Sequence, residues 1–358
     1  MLKIYEIDQA QETILKRVPL TFSEYPVELG ASVENLFGEG VTLPQAVAEI
    51  LESVRREGDK ALRKWSKILD NASLDDFRIP VDRFEQAYDN LPSSLRAAMD
   101  LSAERIRAFH ELQPLPNWET EVLGGRVGQR VTPVERAGVY VPGGTAPLPS
   151  SLLMSVIPAQ VAGVPKIVVT TPPNPHPTIL AAAFICGIED VYQLGGAQAI
   201  AAMAFGSESV PRVDTIVGAG NIFVTLAKQQ VFGVVGLDGL FGPTETMVIA
   251  DNTANPTWVA ADLLAQAEHD VLASAILLTP SQKIAEMVQI EVNRQLENLS
   301  RTSILSRSLK NSSGIVMVPS LAIAAEIAND YAAEHLCLCV AEPRELMSKI
   351  NNAGGFFL

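Results

Sequence analysis

The sequence predicts an α/β protein built from parallel sheets with flanking helices, preceded by an irregular N-terminal segment. Three observations predict it. Short β-branched runs alternate with Ala-rich helical segments from Val131 onward. Most of the earlier runs end in a glycine or proline turn. A second series of strand–helix alternations then follows to the end of the chain. Strand, turn and helix in repetition is the pattern of a parallel sheet with crossover helices.

Residues 1–40 are mixed and show no regular period. Over 43–67, Ala46, Ile50, Leu51, Val54 and Leu62 recur at helical spacing among charges. Further helices are expected over 81–90 and 93–112, the latter carrying Arg96, Glu104, Arg105 and Arg107 on its wet side. The alternation then starts. Runs at 138–141, 167–170, 191–194 and 215–217 read as strands. They end in Pro142-Gly-Gly144, Pro172-Pro173, Gly195-Gly196 and Gly218-Ala-Gly220. Helices are expected behind them over 151–162, 178–187, 197–205 and 221–232. Ligands of such sheets bind beyond the carboxyl ends of the strands, where these turns sit.

The second series has strands expected at 247–250, 275–278, 314–318 and 336–340. Its helices are expected over 257–269, 281–298 and 321–334. Asn255-Pro256 is a good helix start, with Asn as N-cap and Pro in the first turn. The closing Gly354-Gly-Phe-Phe-Leu358 has neither cap nor turn and reads as a fold cut in mid-course.

Composition narrows the partners. The net charge is −14 over 358 residues. Such a surface repels phosphate backbones and anionic headgroups, which argues against nucleic acid and membrane partners. No apolar run is long enough to span a bilayer, and the N-terminus lacks an apolar signal core, so a cytoplasmic location is expected by default. The cysteines are Cys186, Cys337 and Cys339. An odd count without C-x-x-C argues against a disulfide framework and a zinc–thiolate site. Cys337 and Cys339 alternate with Leu and are expected on one side of a buried strand as small hydrophobes.

Four histidines occur: His110, His176, His269 and His335. Two directly follow a glutamate, in Gln266-Ala-Glu-His269 and Ala333-Glu-His335. A single such pair is more often a solvated surface pair than a site. Gln266 and His269, three apart, share a helix face. Imidazole is a common zinc ligand and an amide oxygen a weaker one, but a catalytic zinc takes about three or four protein groups. Glu334-His335 sets a carboxylate beside an imidazole able to take a proton from an alcohol near neutral pH. No G-x-G-x-x-G is present; Gly218-Ala-Gly220-Asn-Ile-Phe223 has two of its glycines, then Phe. Its position between a strand and a helix suits a phosphate-cradling turn, though such turns are usually only structural. Asp214 is expected to belong to that turn.

Taken together these segments resemble the histidinol dehydrogenase family. The resemblance rests on Val134-Glu-Arg-Ala-Gly-Val-Tyr-Val-Pro-Gly-Gly-Thr-Ala-Pro-Leu-Pro-Ser150, Gly195-Gly-Ala-Gln-Ala-Ile-Ala201, Asp251-Asn-Thr-Ala-Asn-Pro256 with its helix to His269, and Tyr331-Ala-Ala-Glu-His-Leu336. It covers nearly the whole chain. It implies two incomplete Rossmann-like domains: an arm over 1–35, a discontinuous domain from 36–138 plus 246–358, and an NAD-binding domain over 139–245. It implies oxidation of L-histidinol to L-histidine in two NAD-linked steps through a bound aldehyde, the last step of histidine biosynthesis. Tyr140, Gln198 and Asn221 would contact NAD. Gln266 and His269 would ligate Zn2+ and touch the substrate, as would Thr244. Glu334 and His335 would be the acid/base pair, His335 also touching substrate. A homodimer with shared active sites is implied as well.

The chain departs from the family pattern in three places. Ala219 stands where the family usually has Pro, which is expected to loosen the turn and weaken NAD binding. Thr244 stands for Ser, keeping the hydroxyl and adding a methyl. Family members also continue past the closing Leu358 with a tail that completes the zinc shell. The alternatives are a truncated non-catalytic paralogue and a related enzyme acting on another small alcohol.

Overall fold

The computed structural model describes residues 2–17, 27–113, 115–122, 124–143 and 147–358. Part of the expected N-terminal arm (18–26) and the Gly144–Ala146 end of the Pro-Gly-Gly motif lie outside the described residues. The chain divides into two compact units, Tyr25–Phe241 and Met1–Glu24 with Gly242–Leu358.

The chain begins with β1 (Ile4–Tyr5) and α1 (Ile7–Gln11), followed by α2 (Val27–Phe37). The helix expected over 43–67 is two helices, α3 (Leu43–Glu57) and α4 (Asp59–Leu69). Gly58 divides them at φ +52, a left-handed backbone open to glycine without strain. Pro44 starts α3, and Gln45 reaches back to accept from the Thr42 N–H at 2.8 Å. Helices α5 (Asp82–Asp89) and α6 (Ser93–His110) follow much as expected. An antiparallel hairpin that the sequence did not announce, β2 (Trp118–Thr120) and β3 (Val127–Gln129), comes next.

The alternation then runs β4 (Arg136–Tyr140), α7 (Pro149–Val161), β5 (Lys166–Thr171), α8 (Pro177–Ile185), β6 (Val191–Gln193) and α9 (Gly196–Phe205). It ends with β7 (Thr215–Val217), α10 (Ile222–Val231) and β8 (Gly236–Leu237). These strands form a parallel sheet in the order β6-β5-β4-β7-β8. The order reverses between β4 and β7, and that switch point is where open α/β sheets place a ligand.

The expected partition put 36–138 with 246–358; in the structure residues 36–138 belong with the five-stranded sheet instead. Val47, Ile50, Leu51 and Val54 of α3 share one core with Ala199, Ala202 and Met203 of α9. The small side chains of α9 let the two helices approach closely. Phe84 and Met99 join a second core with α7 and α8 on the other face of the same sheet. Phe77 and Ile79 bond to β6 through Gln193 N–H to Phe77 O (2.8 Å) and Ile79 N–H to Val191 O (2.9 Å), covering that sheet edge.

In the other unit the series runs β9 (Glu245–Ala250), α11 (Pro256–Ala267), β10 (Ser274–Thr279), α12 (Gln282–Leu296), α13 (Thr302–Asn311) and β11 (Gly314–Met317). It closes with α14 (Leu321–Tyr331), β12 (His335–Cys339), α15 (Pro343–Met347) and β13 (Gly355–Phe357). The sheet is parallel in the order β1-β11-β10-β9-β12-β13. With β1 set aside, its strand order repeats that of the five-stranded sheet. Asn255 caps α11 by accepting from the Thr257 N–H at 2.9 Å, as its sequence predicts. No helix is long and apolar enough to cross a membrane among the described residues.

Candidate active site

In the unit Tyr25–Phe241, the expected cofactor residues gather at the carboxyl ends of the strands. Tyr140 closes β4 and the Gly218 turn follows β7, the two strands flanking the switch point. Gly218 has φ +114, and a Cβ there would lie 2.2 Å from the Tyr140 carbonyl oxygen. Only glycine fits. Its N–H donates to Asp238 Oδ2 at 2.7 Å, while Lys228 Nζ donates to its carbonyl at 2.9 Å. Lys228 is itself 1% exposed and ion-paired with Asp238. The turn is therefore held on both sides by one ion pair, its ammonium buried and its carboxylate at the surface. Asn221 caps α10, its Oδ1 accepting from the Val224 N–H at 3.3 Å. Asp214 serves the neighbouring strand, accepting from the Arg136 N–H at 2.8 Å.

The Tyr140 hydroxyl accepts from the Gly196 N–H at 3.1 Å. Burial pushes this phenol up to about 12, so it stays neutral and keeps a proton to donate. Gln198, in the first turn of α9, is 0% exposed. Its Nε2 donates to Asp70 Oδ2 at 2.9 Å, while its Oε1 is buried with no partner. Burial also pushes the Asp70 carboxyl up, with the Gln198 bond opposing. An orphaned acceptor beside a glycine cradle suits a polar ligand with hydroxyl or amide donors, and a dinucleotide carries several.

In the other unit the expected residues lie at the opposite, amino end of the strands. Thr244 precedes β9, and its carbonyl accepts from the Ser274 N–H at the start of β10 at 2.9 Å. Gln266 sits in the last turn of α11, half-buried, and His269 is exposed just beyond it, before β10. Glu334 and His335 open β12, where His335 is in register with Thr246 of β9. His335 Nδ1 is buried without a hydrogen-bond partner; Glu334 Oε2 stands 3.6 Å away, too far to bond. Thr246 Oγ1 is unpartnered too. Gly354 admits β13 beside the pair, since a Cβ there would lie 2.6 Å from the Glu334 carbonyl oxygen.

A polar network adjoins this end. Arg17 pairs with Glu245, bonds the Ala332 carbonyl at 3.1 Å and lies over the Tyr331 ring. The Tyr331 and Ser274 hydroxyls are 2.9 Å apart. Burial pushes the Glu245 carboxyl up; Arg17 opposes that and the Glu334 charge adds to it. Ala332, at φ +51, turns the chain between α14 and the pair.

The rule of ligands at carboxyl ends does not carry over to this sheet. At its own switch point Asp251 bridges the loops after β9 and β12, accepting from the Thr253 hydroxyl and N–H (2.8 Å) and from the Ala341 N–H (2.9 Å). Burial pushes that carboxyl up, but the Thr253 hydroxyl bond, with the two N–H bonds, outweighs it and holds the group below its ordinary range.

Among the described residues no group of three or more His, Cys, Asp or Glu side chains could hold a metal. His110 bonds Gln113 on the surface, and His176 caps α8. Cys337 and Cys339 pack on one side of β12, against the core of α11 and α12.

Comparison with known proteins bears on the same residues. A family model for histidinol dehydrogenase matches residues 39–358. The chain belongs to the histidinol dehydrogenase family. It is 45% identical over 351 residues to a histidinol dehydrogenase of Nitrosospira multiformis, covering 96% of this chain and 80% of that one. It is 47% identical over 317 residues to one from Thermus thermophilus, covering 88% and 76%. The crystal structure of histidinol dehydrogenase from Elizabethkingia anophelis superposes with a TM-score of 0.88 at 36% identity, covering 100% of this chain and 80% of that one. As a member of the histidinol dehydrogenase family the chain is an oxidoreductase.

Sequence reading missed Asp70, Lys228, Asp238, Arg17 and Glu245. Lys228 alone carried a signal, a cation on a helix face otherwise made of Val224, Ala227 and Val231. The others are brought in by tertiary packing from distant positions.

Proposed function

We propose that the protein oxidises L-histidinol to L-histidine in two NAD-linked steps through a bound aldehyde, the last step of histidine biosynthesis. The observation that carries the mechanism is the buried, unpartnered Nδ1 of His335 with Glu334 beside it. A base must be unoccupied before substrate arrives, and this imidazole is. His335 takes the hydroxyl proton of the alcohol in the first step. Glu334, half exposed, orients and deprotonates the water that adds to the aldehyde. His335 then takes the hydroxyl proton of the hydrate in the second step. NAD, when bound, accepts one hydride per step.

The residues of the Tyr25–Phe241 unit suit NAD. Tyr140 offers a hydroxyl proton, Gln198 an acceptor, and the first turn of α10, behind its Asn221 cap, offers backbone donors for phosphate. Zinc belongs to the reading only as far as Gln266 and His269 carry it. One imidazole and one amide are short of the three protein groups a catalytic zinc needs. The two would hold substrate or metal at this edge. Thr244 would lie against the substrate. A cytoplasmic homodimer is part of the same proposal.

The test is histidinol-dependent NADH formation by the purified protein, with the two steps assayed separately. Glu334→Gln should slow aldehyde oxidation about a hundredfold and leave alcohol oxidation largely intact. His335→Asn should slow both. Equal losses in both steps for Glu334→Gln would remove the assigned role. Turnover of another amino alcohol in preference to histidinol would move the substrate, and the methyl of Thr244 is the feature that would favour this.

A further inference from the structure

We infer that Asp70 is a positioning residue for the dinucleotide, fixing which face of the Gln198 amide the ligand meets. The inference rests on the NAD reading above and adds to it a residue at the end of α4.

An amide side chain has a donor end and an acceptor end that occupy nearly the same space. Which end faces a ligand is decided by its other neighbours. Gln198 is fully buried, and one end lies 2.9 Å from Asp70 Oδ2. An ionised carboxylate only accepts, so the NH2 group must face Asp70. Oε1 is thereby turned the other way, where no donor meets it among the described residues. Gly196, at φ +58, packs directly against it, and a Cβ there would crowd Oε1 at 2.9 Å. Gly196 in turn donates its N–H to Tyr140 at 3.1 Å. The result is an acceptor, held without rotational freedom, in a cradle lined by glycine and the Tyr140 hydroxyl. Its complement is a donor on the ligand, a ribose hydroxyl or a carboxamide NH2.

The arrangement costs stability. Burial pushes the Asp70 carboxyl up, so its ionised form is penalised in the fold at neutral pH. A folded-state pKa raised above the unfolded one means stability is lost as pH rises through the folded value. A neutral isostere removes that cost while freeing the Gln198 amide to flip.

NADH fluorescence titration separates the outcomes. Asp70→Asn should weaken NADH binding about tenfold, one lost oriented hydrogen bond. Its Tm at neutral pH should be unchanged or higher, whereas a purely structural role would lower Tm and leave NADH affinity alone. Asp70→Glu keeps an acceptor-only carboxylate at the end of α4, still facing the Gln198 NH2 group. It should bind NADH within about threefold of the parent, because the Gln198 acceptor is still presented to the ligand. Parent-like NADH affinity in Asp70→Asn, or the same loss in Asp70→Glu, would overturn the assignment of Asp70 alone. Absence of NADH binding by the parent protein would overturn both it and the NAD reading.

Discussion

Each cysteine side chain sits where packing, not chemistry, decides its state. Cys186 is buried beneath α8, and burial pushes its thiol up to about 12. Burial does the same for Cys337, with the Asp262 charge adding, again to about 12, and raises Cys339 as well. The thiolate is the reactive form, so raised values mean slow chemistry at neutral pH, with reactivity appearing only as pH climbs toward the raised values. At about pH 8 the native protein should show no fast-reacting thiol toward Ellman's reagent, and full reaction only after denaturation. A thiol that reacts within seconds in the native state would contradict this burial. The sequence reading of Cys337 and Cys339 as buried hydrophobes holds only in part: they share one side of β12 but are half-buried, and only Cys186 is buried. Glu334 and His335 were legible only as a pair. Nothing in the letters shows that Nδ1 would be left without a partner, since that depends on the register of β12 with β9.

At the scale of elements, most regular strands and helices were readable, but α2 and α13, of 11 and 10 residues, lie where no helix was expected, and irregular joints were not readable either. The strand–turn–helix repetition of β4 to α10 follows the sequence closely, because fully buried parallel strands are apolar runs bounded by glycine. β1, β13 and the β2–β3 hairpin are two or three residues long, too short for any period to show. The break at Gly58 was hidden because the apolar spacing continues on both sides of it. The turn between β7 and α10 looked like an imperfect phosphate motif; its stiffness comes from Lys228 and Asp238, which no local pattern reveals. Removing the carboxylate strands the buried Lys228 charge. Asp238→Asn should therefore destabilise the protein by on the order of 3 kcal/mol, read by urea unfolding. The double variant Lys228→Met/Asp238→Asn should recover most of that loss. If the turn is the phosphate cradle, NADH affinity should fall in the single variant by more than the loss of global stability explains. An unfolding midpoint equal to the parent's would show that the pair does not hold the turn.

For the whole molecule, the two units repeat one strand order but carry their candidate residues at opposite ends of their sheets. The five-stranded sheet offers its carboxyl ends, with the Gly218 cradle and the unpartnered Gln198 Oε1 at the switch point. The six-stranded sheet has Asp251 bridging the loops at that place and gathers Thr244, Gln266, His269, Glu334 and His335 at its amino ends. Strand order alone would put both candidate sites at carboxyl ends. The division gives a prediction for amide hydrogen exchange. A ligand that binds only the folded state slows local opening where it makes contact, by up to about 2.7 kcal/mol at a hundredfold excess over its Kd. NADH should slow exchange at residues 194–198 and 218–224. Histidinol, supplied with Zn2+, should slow it at 244–246, 266–272 and 332–337. Each ligand should leave the other set at its unliganded rate when added alone. NADH protection confined to 244–272, or histidinol protection confined to 194–224, would reverse the assignment of cofactor and substrate to the two sheets. It would also remove the reason for reading His335, rather than Tyr140, as the group that takes the proton.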